Sequence, residues 1–414
     1  MENKNVPSIR FKGFIDDWEQ RKLGEAVTFL NGRAYKQKEL LDKGKYRVLR
    51  VGNFNTNDFW YYSDLELGDN KYANKGDLLY LWATNFGPEI WKEERVIYHY
   101  HIWKLDINDV NLDKNYLYTW LITDKERIKQ TTNGTTMVHI TKGGMEERLF
   151  QNPTNIDEQI KIGSFFEQLD ESIALQECEL ELLKLIKKGF LQQLFTVKDE
   201  KYPNLRFANF HEAWIQCKFK KCFDFPIATN SLSRSLLNYE QGSVKSVHYG
   251  DVLIKYSNIL NVKKDLIPYI TNGLLEKYKS NLLKNGDLIF ADAAEDETVG
   301  KAVEVNGITD ENIVAGLHTI VARPKEKKAE YFLGYYMNST IYHKQLLRLM
   351  QGSKVSSINK GNLQVTDVSF PKNFNEQSIV GNFFKQLDKT IILKNNELEN
   401  LKKIKSSFLQ KMFI

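Results

Sequence analysis

The sequence predicts an α+β protein made of two similar halves, each with a head that is mainly β with some helix and each with one long helix. Three observations predict this fold. The ends of the halves are repeated, the repeated helices carry heptads, and the segments between them alternate apolar and polar residues. A length of 414 residues suits two domains of ordinary size, and 42% hydrophobic with 27% charged residues is typical of a globular protein.

The repeat has two anchors with different shifts. Residues 7–11 (Pro-Ser-Ile-Arg-Phe), followed by Trp18, return as residues 203–207 (Pro-Asn-Leu-Arg-Phe), followed by Trp214, at a shift of 196. Residues 155–195 match residues 373–413 without a gap at a shift of 218. The segments between the anchors diverge strongly. We therefore expect the repeated parts to do one job twice and the divergent parts to do two different jobs.

The repeated segments near the end of each half are predicted to be helices of a coiled coil. Apolar residues occupy heptad positions a and d over about four heptads, and matched polar interruptions are expected to determine the register. The first series is Phe166, Leu169, Ile173, Gln176, Leu180, Leu183, Lys187, Phe190 and Leu194. The second series is Phe384, Leu387, Ile391, Lys394, Leu398, Leu401, Lys405, Phe408 and Met412.

We expect these two helices to pair antiparallel, as a spacer in a pseudo-two-fold arrangement with one head near each end. A helix of about 38 residues would be about 57 Å long. The alternative is two separate amphipathic helices, each packed on its own head. The predicted segments are residues 1–152 (first head), 153–196 (central helix), 197–370 (hinge and second head) and 371–414 (C-terminal helix).

The heads are expected to share a fold, with helices at residues 116–128 and 331–350. Short echoes between the heads support a shared fold. Gly76-Asp77-Leu78 is matched by Gly286-Asp287-Leu288, a turn that leads into a buried strand; Arg50 and Asn53 are matched by Lys255 and Asn258, and His101 by His318.

The sequence predicts neither a catalytic nor a metal-binding residue. It contains no phosphate-binding Gly-rich loop, no Asn/Asp-Pro-Pro-Tyr/Phe tetrapeptide and no nuclease pattern. The acidic cluster Asp292, Glu295, Asp296 and Glu297 is interpreted as a solvated loop rather than a Mg²⁺ site. His99 and His101 lack a third ligand at zinc spacing.

Composition also limits the redox state and the location that we expect. Cys178, Cys217 and Cys222 are too few for a disulfide framework, so three reduced thiols are expected. The first residues lack a signal peptide and no run of eighteen apolar residues occurs, so a cytoplasmic location and no membrane contact are expected. The net charge of +5 is compatible with nucleic acid but too small to indicate it alone.

The loops of the heads carry side chains suited to a DNA duplex. Hydroxyls and lysines contact phosphates, whereas Arg and Asn make paired hydrogen bonds to guanine and adenine. For each residue taken alone, the alternative is a solvated turn or a cap. The candidates in the first head are Arg33, Tyr35, Lys36, Arg50, Asn53, Asn55, Thr135, Thr136, His139 and Lys142. Those in the second head are Arg234, Lys255, Asn258, Asn261, Ser353, Lys354, Ser356 and Lys360.

One family shows this combination of repeats and motifs. Residues 153–159 (Pro-Thr-Asn-Ile-Asp-Glu-Gln) lead to Gly163-Ser-Phe-Phe-x-x-Leu-Asp170, and residues 371–377 lead to the second copy, Gly381-Asn-Phe-Phe-x-x-Leu-Asp388. Together with Gly-Asp-Leu in each head, Thr298-Val-Gly-Lys301 and the two Pro-x-x-Arg-Phe motifs, they make the chain resemble the specificity subunits of type I restriction–modification enzymes over essentially its whole length.

The resemblance implies two target recognition domains, each reading one half of a split asymmetric site in double-stranded DNA. It implies that the helices set the unread gap and dock two methyltransferase subunits, which two motor-nuclease subunits join. S-adenosylmethionine, ATP and Mg²⁺ would be bound by those partners, none by this chain, and methylation would fall on adenine N6 of a flipped base. The first head departs from the family pattern at residues 81–87, so contact residues are not carried over from the second head to the first.

Two other functions remain open at this point. One is a self-sufficient nuclease or methyltransferase with an unrecognised site. The other is a coiled-coil scaffold that never touches nucleic acid.

Overall fold

The structure, a computed structural model, describes residues 6–54, 57–83, 86–131, 140–352 and 354–413. It divides into two compact units. The first unit comprises Met1–Glu177 and Asn396–Ile414, and the second comprises Cys178–Asn395. Among the residues described, no helix is long and apolar enough to cross a membrane.

Among its described residues, the first unit contains two four-stranded sheets and one two-stranded pair. The large sheets have the orders β2-β9-β6-β7 and β4-β3-β8-β5, and β1 pairs with β10. The strands are β1 (Trp18–Lys22), β2 (Val27–Asn31), β3 (Tyr46–Leu49), β4 (Tyr61–Ser63), β5 (Tyr72–Ala73), β6 (Leu78–Leu81), β7 (Gly87–Ile90), β8 (Val96–Tyr98), β9 (Ile102–Ile107) and β10 (Leu149–Pro153). The helices are α1 (Leu23–Ala26), α2 (Lys114–Thr131), α3 (Lys142–Glu146) and the long α4 (Ile156–Gln193), whose residues from Cys178 belong to the second unit.

The second unit has sheets in the orders β12-β21-β17-β19-β15 and β13-β16-β14-β20, and two pairs, β11-β23 and β18-β22. Its strands are β11 (Ile215–Lys218), β12 (Phe223–Asp224), β13 (Leu237–Asn238), β14 (Lys245–Val247), β15 (Ile259–Asn261), β16 (Tyr269–Ile270), β17 (Leu288–Ala291), β18 (Ala293–Ala294), β19 (Ala302–Asn306), β20 (Ile313–Ala315), β21 (Thr319–Pro324), β22 (Ser356–Ser357) and β23 (Asp367–Phe370). Its helices are α5 (Phe219–Cys222), α6 (Tyr249–Ile254), α7 (Leu275–Tyr278), α8 (Phe332–Asn338), α9 (Thr340–Leu347), α10 (Lys360–Val365) and α11 (Phe374–Met412), whose residues from Asn396 belong to the first unit. The predicted α+β class is confirmed.

The turns before the strands β6 and β17 confirm the Gly-Asp-Leu echo. Asp77 Oδ2 accepts a hydrogen bond from the backbone N–H of Asn74 at 2.9 Å. Asp287 Oδ2 accepts one from the N–H of Lys284 at 2.8 Å. Each aspartate therefore closes its own turn, and the following four residues form a fully buried strand in both units.

One predicted helix is confirmed and the other is divided. The helix expected at residues 116–128 lies within α2. The single helix expected at residues 331–350 is wrong, because α8 ends at Asn338 and α9 begins at Thr340. Ser339 has extended backbone angles and its hydroxyl accepts from the N–H of Tyr342, so this serine caps a new helix instead of continuing the old one.

The long helices α4 and α11 pair antiparallel in each unit. In the first unit, Phe165 packs edge-on against Phe408 at 5.1 Å, and Asp170 pairs with Lys405. In the second unit, Phe383 packs edge-on against Phe190 at 5.0 Å, and Asp388 pairs with Lys187. The numbers rise along one helix while they fall along the other, which confirms the predicted antiparallel coiled coil. These contacts differ from those of the alternative, in which each helix would pack only on its own head.

The polar interruptions of the heptads form specific ion pairs. Lys187 and Lys405 occupy equivalent core positions, and each reaches the aspartate that ends the repeated Phe-Phe-x-x-Leu-Asp motif on the other helix. Displacing one helix along the other would leave these half-buried charges unpaired. Such polar residues at core positions determine coiled-coil register at some cost in stability.

The core of each unit contains the start of one long helix and the end of the other. Ile162 and Phe166 of α4 share the first unit's core with Met412 and with Phe413, which follows α11. In the second unit, Val380 and Phe384 of α11 share the core with Leu194 and Phe195, just beyond α4. Each head is thus closed by residues that the other repeat supplies.

The Pro-x-x-Arg-Phe motifs are held by buried carboxylates. Arg10 makes two hydrogen bonds to Glu158, at 2.6 and 2.7 Å, and Arg206 makes two to Glu376, at 2.7 and 2.8 Å. Both glutamates are almost fully buried. Each pair clamps the segment before its head onto the first turns of a long helix, and the geometry of two parallel N–H···O bonds is specific to arginine.

The glycines of the Gly-x-Phe-Phe motif allow close backbone approach. A Cβ added to Gly163 would lie 2.7 Å from the backbone nitrogen of Tyr116. One added to Gly381 would lie 2.7 Å from the carbonyl oxygen of Glu330 and 2.8 Å from the nitrogen of Phe332. Any side chain here would push the long helix away from its head.

The prediction of three reduced thiols is wrong for two of them. Cys217 on β11 and Cys222 at the end of α5 form a disulfide, whereas Cys178 is a free, exposed thiol. The one-turn helix α5 folds the chain back after β11 and brings the two sulfurs together. A spacing of five residues, with no second pair, did not indicate this turn.

Replacing Arg206 by Ala should destabilise the second unit by about 3 kcal/mol, because it leaves a buried carboxylate without its partner. Arg206→Lys keeps the charge but only one of the paired hydrogen bonds, so it should lower the free energy of unfolding by less than Arg206→Ala does. Chemical denaturation measures both. Lys22→Ala, which removes an exposed pair with Glu147, is the control and should leave stability unchanged. An equal effect of Arg206→Ala and Lys22→Ala would contradict the buried clamp.

A circular permutant should fold. The N–H of Ile9 donates to the carbonyl of Lys411 at 3.0 Å, and Leu205 donates to Gln193 at 2.9 Å in the equivalent place. Eleven residues separate Gln193 from Leu205, and fusing Ile414 to Met1 would also leave eleven between Lys411 and Ile9.

The permutant would begin at Asp199 and end at Lys198, in an exposed turn. Its circular dichroism spectrum and unfolding midpoint should match those of the original chain. A permutant cut inside α2 is the control and should not fold. Failure of both to fold would contradict the equivalence of the two connections.

Candidate nucleic-acid interface

Backbone hydrogen bonds bring four loop segments of the first head together. The strands β3 and β8 are parallel neighbours and end at the same edge, where the N–H of His99 donates to the carbonyl of Leu49 at 2.9 Å. Arg33 N–H donates to Tyr98 at 3.1 Å, and Trp82 N–H donates to His101 at 3.2 Å. Arg50, which directly follows Leu49, belongs to the same cluster. The segments that carry Arg33, Arg50, Trp82 and His99–His101 therefore meet at one end of the head.

The two arginines of this cluster are held in position, but not all of their hydrogen-bond donors have partners. Arg33 donates to Glu39 at 2.9 Å and lies over the ring of Tyr35, and Arg50 donates to the carbonyl of Phe59 at 3.0 Å and lies over the ring of Tyr61. Within the described ranges, Arg33 Nη1, Arg50 Nε and the Tyr35 hydroxyl are buried without a hydrogen-bond partner. The fold leaves polar groups here for which a ligand or water can supply partners.

Burial sets the protonation of the neighbouring rings. It lowers the pKa of His99 to about 4, with further lowering by His101 and Arg50, and it also lowers the pKa of His101. Burial raises the pKa of Tyr35. At neutral pH both imidazoles are uncharged, so each has one donor and one acceptor nitrogen, and the phenol keeps its proton.

The other predicted residues of the first head have different environments. Asn53 is used within its own turn: its Oδ1 accepts from the N–H of Arg50, and its Nδ2 donates to the carbonyls of Asn57 and Phe59. The Lys36 side chain is exposed. Asn55, Thr135, Thr136 and His139 lie outside the described residues, as does Ser353 in the second head.

The second head repeats the same backbone connections. Gly316 N–H donates to Val247 at 2.8 Å, Asn230 to Ala315 at 3.1 Å, and Asp292 to His318 at 3.0 Å. These three bonds make Asn230 the equivalent of Arg33 and Asp292 the equivalent of Trp82. The predicted correspondence of His101 with His318 is confirmed.

The predicted correspondence of Arg50 with Lys255 is wrong. The parallel pairs Leu49–Tyr98 and Val247–Ala315 match, so His248, the residue after Val247, stands where Arg50 stands. Lys255 follows the helix α6, which fills the place that the short 3-10 turn Val51–Phe54 fills in the first head. That inserted helix displaces Lys255 from the strand end.

Arg234 and Lys255 share one buried carboxylate. Arg234 makes two hydrogen bonds to Asp251, at 2.7 and 2.8 Å, and Lys255 Nζ lies 3.0 Å from the same side chain. Burial raises the pKa of Asp251, but the hydrogen bonds from Arg234 and Lys255 outweigh it, so the net pKa lies below its ordinary value. Both cations remain nearly half exposed. Asp251 thus holds two cations in position beside Tyr239, whose hydroxyl both contact.

The remaining candidates of the second head lie in turns and at element ends. Asn261 Oδ1 accepts from the N–H of Lys263 at 3.1 Å, and the Asn258 carbonyl accepts from the N–H of Glu304 at 3.0 Å. Ser356 lies on β22, opposite Ala294, and Lys354 is exposed. The side-chain contact of Asn261 is that of a turn residue, the alternative stated for each single position.

Lys142 and Lys360 occupy the same place in the two heads. Each is the first residue of a short helix, α3 or α10, and each is preceded by a cap whose side chain accepts a backbone N–H: Thr141 from Gly144 at 3.1 Å and Asn359 from Asn362 at 3.0 Å. Lys360 is exposed, and Lys142 is partly exposed, with its Nζ 3.6 Å from Glu146 Oε1. They are suited to phosphate contact.

The acidic cluster of the second head forms local bonds. Asp292 Oδ1 lies 3.1 Å from His318 Nδ1, and Asp296 Oδ1 accepts from the N–H of Thr298 at 2.8 Å. Throughout the residues that the structure describes, no group of three or more His, Cys, Asp or Glu side chains has the arrangement of a metal site.

Sequence reasoning missed several residues of these clusters. Trp82, Tyr100, Asn230 and His248 were not selected, and His101 and Asp292 were weighed only as metal ligands. The signal available was the His101–His318 echo together with the run His99-Tyr100-His101. This signal could be interpreted only once the strand registers placed both histidines at equivalent positions.

The chain thus has two heads of one fold, with unlike side chains at the same loop positions, and two long helices that pair with each other. The family described as "Type I restriction modification DNA specificity domain" matches residues 15–185 and 238–403, which is more than half of the chain. The chain therefore belongs to this family, and it is a type I restriction–modification specificity subunit with DNA sequence recognition.

Relatives and solved structures agree with this assignment. The chain is 23% identical over 408 residues to the type I restriction enzyme MjaVIII specificity subunit of Methanocaldococcus jannaschii, covering 95% of this chain and 91% of the relative. It is 21% identical to the EcoBI specificity subunit of Escherichia coli, covering 96% and 86%. The crystal structure of the S subunit of a type I system from M. genitalium shares the fold, with a TM-score of 0.61 and 15% identity over 99% of each chain.

Replacing Lys142 or Lys360 by Ala should weaken binding to every duplex equally and lower the slope of log affinity against log salt by about one unit, because each loses one phosphate contact. Fluorescence anisotropy over a salt series measures this. Lys43→Ala, at an exposed lysine away from the cluster, should leave the slope unchanged. A changed base preference with an unchanged slope would contradict a phosphate role.

Proposed function

We propose that this chain is the non-catalytic DNA reader of a type I restriction–modification complex, and that each head reads one half of a bipartite asymmetric site. The predicted segments 1–152 and 197–370 carry the two recognition domains. The helices of segments 153–196 and 371–414 set the unread gap between the half-sites. Adenine-N6 methylation and restriction are carried out by partner subunits.

One observation carries this proposal. The three backbone hydrogen bonds that gather the loops are the same in both heads, but the side chains they gather differ: Arg33 against Asn230, Arg50 against His248, and Trp82 against Asp292. A shared frame with different hydrogen-bonding groups is what reading two different half-sites requires.

The chemistry of the clusters favours reading over catalysis. Their ionisable groups are either neutralised, as His99 and His101 are, or paired, as Arg234 and Asp251 are. Neither arrangement provides a nucleophile beside a general base. As the family resemblance implies, we assign S-adenosylmethionine, ATP and Mg²⁺ to two methyltransferase and two motor-nuclease subunits.

An apolar face of the helix α4 supports docking of a methyltransferase subunit. Leu182, Leu185 and Ile186 lie three and four residues apart, so they share one face, and they are exposed, as are Ile392 and Leu393 on α11. Exposed apolar side chains at helical spacing are typical of an interface.

The test compares the lone chain with the assembled complex. Incubated with duplex DNA, Mg²⁺ and S-adenosylmethionine, the lone chain should neither cleave nor methylate, whereas with its methyltransferase subunits it should direct methylation to a bipartite site found by methylome sequencing. Exchanging residues 20–150 for those of a relative should change one half-site only.

Other outcomes would overturn the proposal in different ways. Cleavage or methyl transfer by the lone chain would show a self-sufficient enzyme. Absence of salt-dependent duplex binding in both forms would show a scaffold. A change in both half-sites after the exchange would contradict independent heads.

A further inference from the structure

A histidine lies at the same place in both heads, in the turn that directly precedes β9 in the first head and β21 in the second. His101 directly precedes β9, His318 directly precedes β21, and each backbone carbonyl accepts the N–H of the residue that follows β6 or β17. The side chain of that bonded residue differs, Trp82 in one head and Asp292 in the other. The histidine is thus the shared element of two otherwise different clusters.

The backbone of His318 adopts a conformation that residues other than glycine seldom take. Its φ is 52°, in the left-handed region, although it is not a glycine. The Nδ1 atom faces Asp292, and half of the side chain is exposed. Such conformations are retained where the surrounding structure enforces them and cluster at functional sites.

Asp292 determines what His318 offers to a ligand. Its Oδ1 lies 3.1 Å from His318 Nδ1, so in the neutral ring the proton resides on Nδ1 and Nε2 is left as an acceptor. In the DNA major groove, adenine N6 and cytosine N4 carry the amino groups that donate to such an acceptor, whereas guanine presents only acceptors there.

His101 has a different setting in the first head. Its ring packs edge-on against Trp82 at 4.9 Å and lies beside the exposed Tyr100. The indole Nε1 of Trp82 donates to the carbonyl of Tyr100 at 2.8 Å, which holds the indole in place. Among the described residues no side chain hydrogen-bonds to the His101 imidazole nitrogens, so both are available to a base.

We propose that His101 and His318 are specificity-determining residues, each contacting a base edge in the half-site of its own head, with Trp82 and Asp292 as their positioning residues. This inference rests on the proposed function and deepens it. His318 reads a base with an exocyclic amino group, adenine or cytosine. His101 has both a donor and an acceptor to offer.

The test selects bound duplexes from a library randomised at both half-sites, using the full chain with its methyltransferase subunits. His318→Gly suits the left-handed backbone and leaves no side chain that could contact a base, so it removes the imidazole with little strain. It should abolish the preference at one base pair of one half-site and weaken binding to the original site about 10-fold or more. His101→Ala should do the same in the other half-site only.

Asp292→Asn tests the positioning role. It should relax the preference at the same base pair as His318→Gly, with an unchanged salt slope, whereas a merely structural role would lower the unfolding midpoint and leave every base preference in place. His211→Ala, at an exposed histidine outside both clusters, is the control and should change nothing.

Several outcomes would overturn this inference while the proposed function stands. They are an unchanged preference at every position in both histidine variants, loss of about one unit of salt slope without loss of preference, and changes in both half-sites from one variant. If instead the original complex selects no sequence at all, the proposed function itself fails.

Discussion

The structure depends on a reciprocal exchange between its two long helices. The first unit is closed by Met412 and Phe413, from the end of α11, and the second by Leu194 and Phe195, from the end of α4. Because these residues are buried in cores, neither helix end can be released without exposing apolar surface of a head. The same exchange forces the helices to run antiparallel, which gives both units equivalent contacts: Phe165 with Phe408, and Phe383 with Phe190.

The repeated motifs of the family have a structural explanation in this exchange. The arginine of Pro-x-x-Arg-Phe is held by the buried glutamate at the start of the long helix. The aspartate of the second motif, Gly-x-Phe-Phe-x-x-Leu-Asp, pairs with a lysine at a core position of the opposite helix. The glycine of this second motif allows the long helix to approach the backbone of its head closely. These residues serve attachment and register, so they recur almost unchanged. The loops at the strand ends do not attach the heads to the helices, and in these loops the two heads differ.

The sequence predicted the parts of the fold that rest on periodicity and repetition. Heptads indicated the paired helices, since an apolar stripe of that length needs a partner, and the Gly-Asp-Leu echo indicated a turn and a buried strand. Two kinds of feature were not predictable: local signals that interrupt a longer pattern, and contacts between residues far apart in the sequence. Ser339 interrupts a helical pattern as a cap, and the helix α6 moves Lys255 away from the place of Arg50. Arg234 looked free in the sequence, yet the fold ties it to the buried Asp251, seventeen residues away.

We propose that the paired helices, through their register, set the distance between two independent recognition heads. The most direct measurement is methylome sequencing after one heptad is inserted in both helices at matched positions, which preserves the pairing of Lys187 with Asp388 and of Lys405 with Asp170. We expect unchanged half-sites with a longer unread gap between them. An unchanged gap together with full methylation would show that the helices do not set the spacing.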